Sequence, residues 1–188
     1  MHNLIKTTLL VTGIVAFSCQ AASVITLENL DRYHASFPAI HQLEQQVERE
    51  LSDWQPRAHC NWQQHYQSIQ QAEHSADFTS RFEAIINQHG FKSGAQYTEL
   101  SAKITLPWLE EVIAIYNQQL QNNPGRSAEL QQDFTQQLAM LTQTREIILS
   151  CLSDDDKAAL KQHQQKITDI MTTMLQLDQG DDEQVDEQ

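Results

Sequence analysis

The chain has 188 residues and carries 25 acidic against 12 basic side chains, a formal charge of −13. That balance excludes a nucleic-acid binder, whose non-specific affinity comes from lysine and arginine set against phosphate, and it disfavours anionic membrane surfaces. Five glycines, four prolines and roughly one glutamine in every seven positions describe a helix-forming composition, long enough for one domain with a real core.

Residues 1–21 read as a secretory signal: the basic start MHNLIK, the apolar run TTLLVTGIVAF and the small-residue exit SCQAAS, with cleavage expected after Ala21. The run is too short to span a bilayer, which takes roughly 20 apolar residues, and no later stretch reaches that length. Ala16-Phe17-Ser18-Cys19 also resembles a lipobox, which would make Cys19 a lipid anchor and the protein an outer-membrane lipoprotein. The expected address is otherwise the periplasm or the medium. Removing the leader removes Lys6, its one charged side chain, and takes the formal charge to −14.

The first helical stripe is Leu27, Leu30, Tyr33, His34 and Phe37, with Thr26 placed as its N-cap. Pro38 is then expected to open a second helix carrying Ile40, Leu43, Val47, Leu51 and Trp54, until Pro56 breaks it. A third helix starts at or just after Cys60, with Trp62, Tyr66 and Ile69 inward. Asp77 is read as the cap of a helix showing Phe78, Phe82, Ile85 and Ile86. Gly90 closes that helix in the left-handed conformation, Phe91 folding back onto its last turn. Ser93 and Gln96 form a capping box for the stripe Tyr97, Leu100 and Ile104.

Pro107 should kink or restart the chain before Trp108, Val112, Ile115, Tyr116 and Leu120. After the turn Asn122-Asn123-Pro124-Gly125, Ser127 caps a long helix with Leu130, Phe134, Leu138, Leu141, Ile148 and Leu152 on one face. Ser153 caps the last helix, with Asp154, Asp155 and Asp156 in its first turn, where the helix dipole favours carboxylates. That helix is expected to run through Leu160, His163, Ile167, Ile170, Met174 and Leu177, a heptad seam suited to an intramolecular partner or a homodimer. The expected architecture is an all-α, single-domain bundle of about six to seven helices. A short N-terminal pair packs on a core built from Trp62 to Leu177; the helical domain spans 22–178, and 179–188 form a disordered acidic tail.

Two cysteines survive removal of the leader, Cys60 and Cys151, and in an oxidising compartment such a pair reads as one disulfide. Closing so long a loop stabilises the fold by roughly 4–5 kcal/mol in the chain-entropy model. The competing reading groups Cys60 with His59 and His65, in the stretch RAHCNWQQHY, around zinc or copper. It lacks a second ligand cluster, and His65 stands off the helical face of Cys60, so no metal site is expected; a free or intermolecular thiol is the remaining alternative.

The stretch FEAIINQHGFKSGAQYTELSAKI, preceded by ITLENLDRYHASFPAI and followed by LSDDDKAALKQHQQKI, resembles a family of small exported all-helical proteins of proteobacteria whose function is uncharacterised. The likeness covers most of residues 25–175 and departs from the family pattern in placing Tyr97 where Trp is usual. It implies a helical fold and export, and transfers no catalytic residue.

No catalytic constellation is visible. Ser101, Ser127 and Ser150 lack a nucleophile-elbow context, and no glycine loop cradles phosphate. The three aspartates lack the alternation and glycine of a calcium loop and read as helix capping. His34, His41, His89 and His163 are spaced as solvated or partly buried side chains. No cofactor is implied. The function expected is a non-enzymatic, adaptor- or chaperone-like module binding a protein or peptide, with Tyr97, Trp108 and Tyr116 as candidate binding aromatics and Met171 and Met174 beside them. The alternatives are a periplasmic metal-handling protein using His and Cys, and an enzyme with an unrecognised cleft.

Overall fold

In the computed structural model, which describes residues 23–45, 60–71, 75–122 and 127–182, all regular structure is helical. Eight helices follow in order: α1 (Leu27–Gln45), α2 (Trp62–Gln71), α3 (Ser75–Gln88), α4 (Gly94–Ile104), α5 (Leu106–Asn122), α6 (Ala128–Ser150), α7 (Asp154–Gln162) and α8 (Gln164–Asp182). The all-α, disulfide-stapled fold is the expected one, with eight helices among the described residues where about six to seven were expected. The leader, the Val47, Leu51 and Trp54 positions, all of the Asn122-Asn123-Pro124-Gly125 turn but Asn122, and the last six residues lie outside the described residues.

α1 departs from expectation. Thr26 caps it, its Oγ1 accepting from the Asn29 amide at 3.2 Å, but Pro38 sits inside one continuous helix instead of starting another. An interior proline costs about 3 kcal/mol or more, through a lost hydrogen bond and a crowded carbonyl. The stripe Leu30, Tyr33, Phe37, Ile40 and Leu43 passes straight through it, and all five side chains are buried. Each contributes roughly 1.5–3 kcal/mol, so burial outweighs the break. As a result α1 lies in the core, not on it: Leu30, Tyr33, Phe37 and Ile40 pack with Ile86, Tyr97, Leu100, Ile104, Ile167, Ile170 and Met171.

The junctions follow side-chain chemistry. Gly90 adopts φ +84°, and the Phe91 amide donates to the Ile86 carbonyl at 3.0 Å, which seats the buried Phe91 ring. Ser93 accepts from the Gln96 amide, while Gln96 Oε1 accepts from the Lys92 amide at 2.9 Å, so the expected box closes one residue early. α3 begins at Ser75, leaving Asp77 in its first turn, 3.8 Å from Arg81, instead of at the cap; the helix dipole favours a carboxylate there too. Pro107 restarts the chain at α5, where its missing N–H falls among first-turn groups that have no helical partner.

The closing element is two helices, not one. His163 ends α7, its amide donating to Ala159 and its carbonyl accepting from Ile167, three residues after Leu160, the side chain shared by both apolar clusters. α8 then runs to Asp182, past the boundary expected after residue 178. Its seam is satisfied within the chain: Ile167 and Ile170 are buried in the α1 cluster, Lys166 pairs with Asp31 at 2.7 Å, and His34 Nε2 lies 3.2 Å from Thr173 Oγ1.

α5 and α6 form an antiparallel hairpin. Its base is a separate cluster of Leu106, Leu109, Ile148 and Leu152, tied to the start of α2 by the Cys60–Cys151 disulfide, with Cα atoms 5.3 Å apart.

Candidate functional site

The three aromatics singled out from the sequence do not converge. Tyr97 is a core residue, 6% exposed, stacked on Tyr33 at 4.9 Å and edge-on to Phe82 and Phe91. Burial raises the pKa of both phenols, that of Tyr97 well above its ordinary value. Tyr116 lies half-buried inside the hairpin, its hydroxyl donating to Gln137 at 2.8 Å and its ring 5.2 Å from Phe134. Trp108 alone stands at the surface. Met171 is buried and Met174 packs against the same core, so neither belongs to a binding surface.

What the hairpin does expose is a second stripe. Residues facing α6 along α5 are Leu106, Leu109, Ile113 and Tyr116; Trp108, Val112 and Ile115 follow the same 3.6-residue period about a third of a turn away. Along α6, Met140, Thr144 and Ile147 stand in the same relation to the stripe of Phe134, Leu138, Leu141 and Ile148. Because the helices are antiparallel, both secondary stripes fall on one side of the hairpin. That is the side marked by the Tyr116–Gln137 hydrogen bond, whereas Glu110 and Arg145, 3.4 Å apart, mark the opposite flank. Ile115 is 45% exposed and Met140 59% exposed, with Val112, Thr144 and Ile147 half-buried between the ridges. A shallow surface depression lined by Asp133, Gln136, Gln137 and Met140 continues the face toward the hairpin tip.

A second arrangement centres on two buried side chains, Lys103 and Asp156. Lys103 Nζ lies 2.8 Å from Asp156 Oδ2 and 2.6 Å from Glu99 Oε1. Asp156 also accepts from Ser23 Oγ at 2.7 Å, from the Ser153 amide and from Ser153 Oγ. Burial would raise its pKa, but the Lys103, Ser23 and Ser153 donors prevail and hold it at about 2. Lys103 and Asp156 are paired and buried, with the partly exposed Glu99 as a second carboxylate on the same ammonium, so the cluster joins residue 23, α4 and α7 and presents no free nucleophile.

The other candidates are similarly engaged. Ser101 Oγ lies 3.1 Å from the Tyr33 hydroxyl, Ser127 caps α6, and Ser150 Oγ donates to the Ile147 carbonyl. His65 is buried against Trp62. The disulfide removes both sulfurs as thiolate ligands, and His59 lies outside the described residues. Among the described residues no three His, Cys, Asp or Glu side chains gather as a metal site. Asp154 and Asp155 are exposed in the first turn of α7, and Asp156 closes the Ser153 capping box.

No family model, curated protein or solved structure matches the chain. The site therefore rests on its geometry. Sequence reasoning merged the two stripes of α5 into one; the signal that separates them is Trp108, Val112 and Ile115 at i, i+4 and i+7, echoed by Met140, Thr144 and Ile147 at the same spacing.

Proposed function

We propose that this is a non-enzymatic binding module of an extracytoplasmic compartment, holding a protein or peptide on the outer face of the α5–α6 hairpin. One observation carries the reading: of the six large apolar side chains exposed among the described residues, Trp108, Ile115, Leu130 and Met140 are on this hairpin. Contiguous exposed apolar surface on a folded chain marks interaction sites. The disulfide is of the kind kept in oxidising compartments, the leader-like residues 1–21 agree with export, and no helix among the described residues is long and apolar enough to cross a membrane.

The test is photo-crosslinking in intact cells with a photoreactive residue at Ile115 or Met140, and at Glu146 as an off-face control. The module reading expects the same adduct from positions 115 and 140 and none from 146. Equal labelling at all three positions, or none at any, overturns it.

A further inference from the structure

The face has a size and a charge, and together they specify its occupant. From Asp133 to Ile147 it extends about 20 Å at 1.5 Å per residue, and two helices of roughly 10 Å each make it about 20 Å wide. That footprint, two helices wide and about four turns long, has the dimensions of a bed for one helix laid along the hairpin. One amphipathic helix laid along it would meet Trp108, Val112 and Ile115 from α5 and Met140, Thr144 and Ile147 from α6.

Charge separates a second copy from a different partner. α5 has no lysine or arginine; α6 has one, Arg145, engaged by Glu110 and Glu146 on the far flank. The hairpin carries the acidic residues Glu110, Glu111, Glu129, Asp133 and Glu146. Glu111 borders the face on the α5 side and Asp133 extends it on the α6 side, both exposed. Another copy of a chain with formal charge −13 would bring like charge to this rim.

Resting on the binding-module reading above, we infer that the occupant is a cationic amphipathic helix: an apolar stripe seated between the α5 and α6 ridges, flanked by lysine or arginine facing the acidic rim. The apolar ridges supply affinity, and the carboxylates supply on-rate and preference for basic partners.

The experiment uses the mature protein and two fluorescent synthetic helices with the same leucine and phenylalanine stripe, one flanked by lysines and one by glutamates. Binding is read by anisotropy at low and high salt. The lysine helix should bind at least roughly tenfold tighter than the glutamate helix, and lose several-fold as salt screens the rim. Ile115→Glu and Met140→Glu should each weaken it by about tenfold or more. Both add a carboxylate, so non-specific attraction of a cation to an acidic protein would move the other way. Glu146→Gln, off the face, should stay within about twofold.

If the glutamate helix binds equally well and Ile115→Glu still abolishes binding, the cationic assignment falls and the binding module stands. If Ile115→Glu leaves both peptides unaffected, the face is not a docking site, and the module reading falls with it. A dimer in sedimentation that Ile115→Glu dissolves would overturn the inference in favour of a second copy.

Discussion

Lys103 and Asp156, 53 positions apart in sequence, meet at 2.8 Å in the interior with side chains 5% and 3% exposed. A buried ion pair is weak evidence for net stability against an apolar substitute, because both ions are desolvated, but removing one partner strands the other. Asp156→Asn should therefore cost about 3 kcal/mol in denaturant unfolding, partly relieved by Glu99. A loss under about 0.5 kcal/mol would mean that the pair does not form.

The same carboxylate sets an acid limit. Its pKa is lowered from 3.8 to about 2 in the folded protein, so its contribution is fully present above the unfolded value and is lost as pH falls through the folded one. The shift corresponds to about 2 kcal/mol. Unfolding midpoints measured from pH 5 to pH 2 should fall for the wild type across the window between those two values. Asp156→Asn should show a correspondingly smaller slope there.

The disulfide closes a 91-residue separation between the start of α2 and the end of α6. Paired Cys60→Ser and Cys151→Ser changes should cost up to roughly 4–5 kcal/mol by the chain-entropy estimate. The loss should appear in hydrogen exchange first at the hairpin base, around Leu106, Leu109 and Ile148, where the second cluster is small. Two reactive thiols in the unreduced wild type would contradict the bridge.

Gly94 faces the ring of Tyr66 so closely that an added Cβ would overlap the ring carbons. Gly94→Ala should destabilise by about 1–3 kcal/mol, as overpacking does, and disturb the Tyr66 hydroxyl bond to Glu83 at 2.8 Å. Gly90→Ala faces a different penalty, of roughly 1–2 kcal/mol, because Gly90 holds φ +84° beside the Arg32 guanidinium. Circular-dichroism melts of both variants measure the two effects. An unchanged Gly94→Ala melt would contradict the close α2–α4 approach.

Legibility followed the range of the interaction. Ser93, Ser127 and Ser153 cap their helices, and Gly90 ends one, because capping is settled within four or five residues. The bridge was legible because two cysteines leave one pairing. Pro38 misled because a local rule was outweighed by a buried stripe of five residues, whose worth depends on what packs against it. Lys103 and Asp156 each read locally as a helix-surface or first-turn charge, and only topology brings them together. Tyr97 and Trp108 show the same limit. Periodicity puts Tyr97 on a stripe of α4 and Trp108 on a stripe of α5 but does not say which stripe the fold covers, and the fold buries the first and exposes the second.

The central claim is that the α5–α6 face stands open to solvent in the folded monomer, and methionine oxidation measures this directly. Met140 is 59% exposed on that face, whereas Met171 is 9% exposed in the α1 cluster. Dilute peroxide followed by peptide mapping of the native monomer should convert Met140 to its sulfoxide nearly as fast as in the unfolded chain, with Met171 slower by roughly tenfold or more. Protection of Met140 equal to that of Met171 would contradict the open face and the binding function assigned to it.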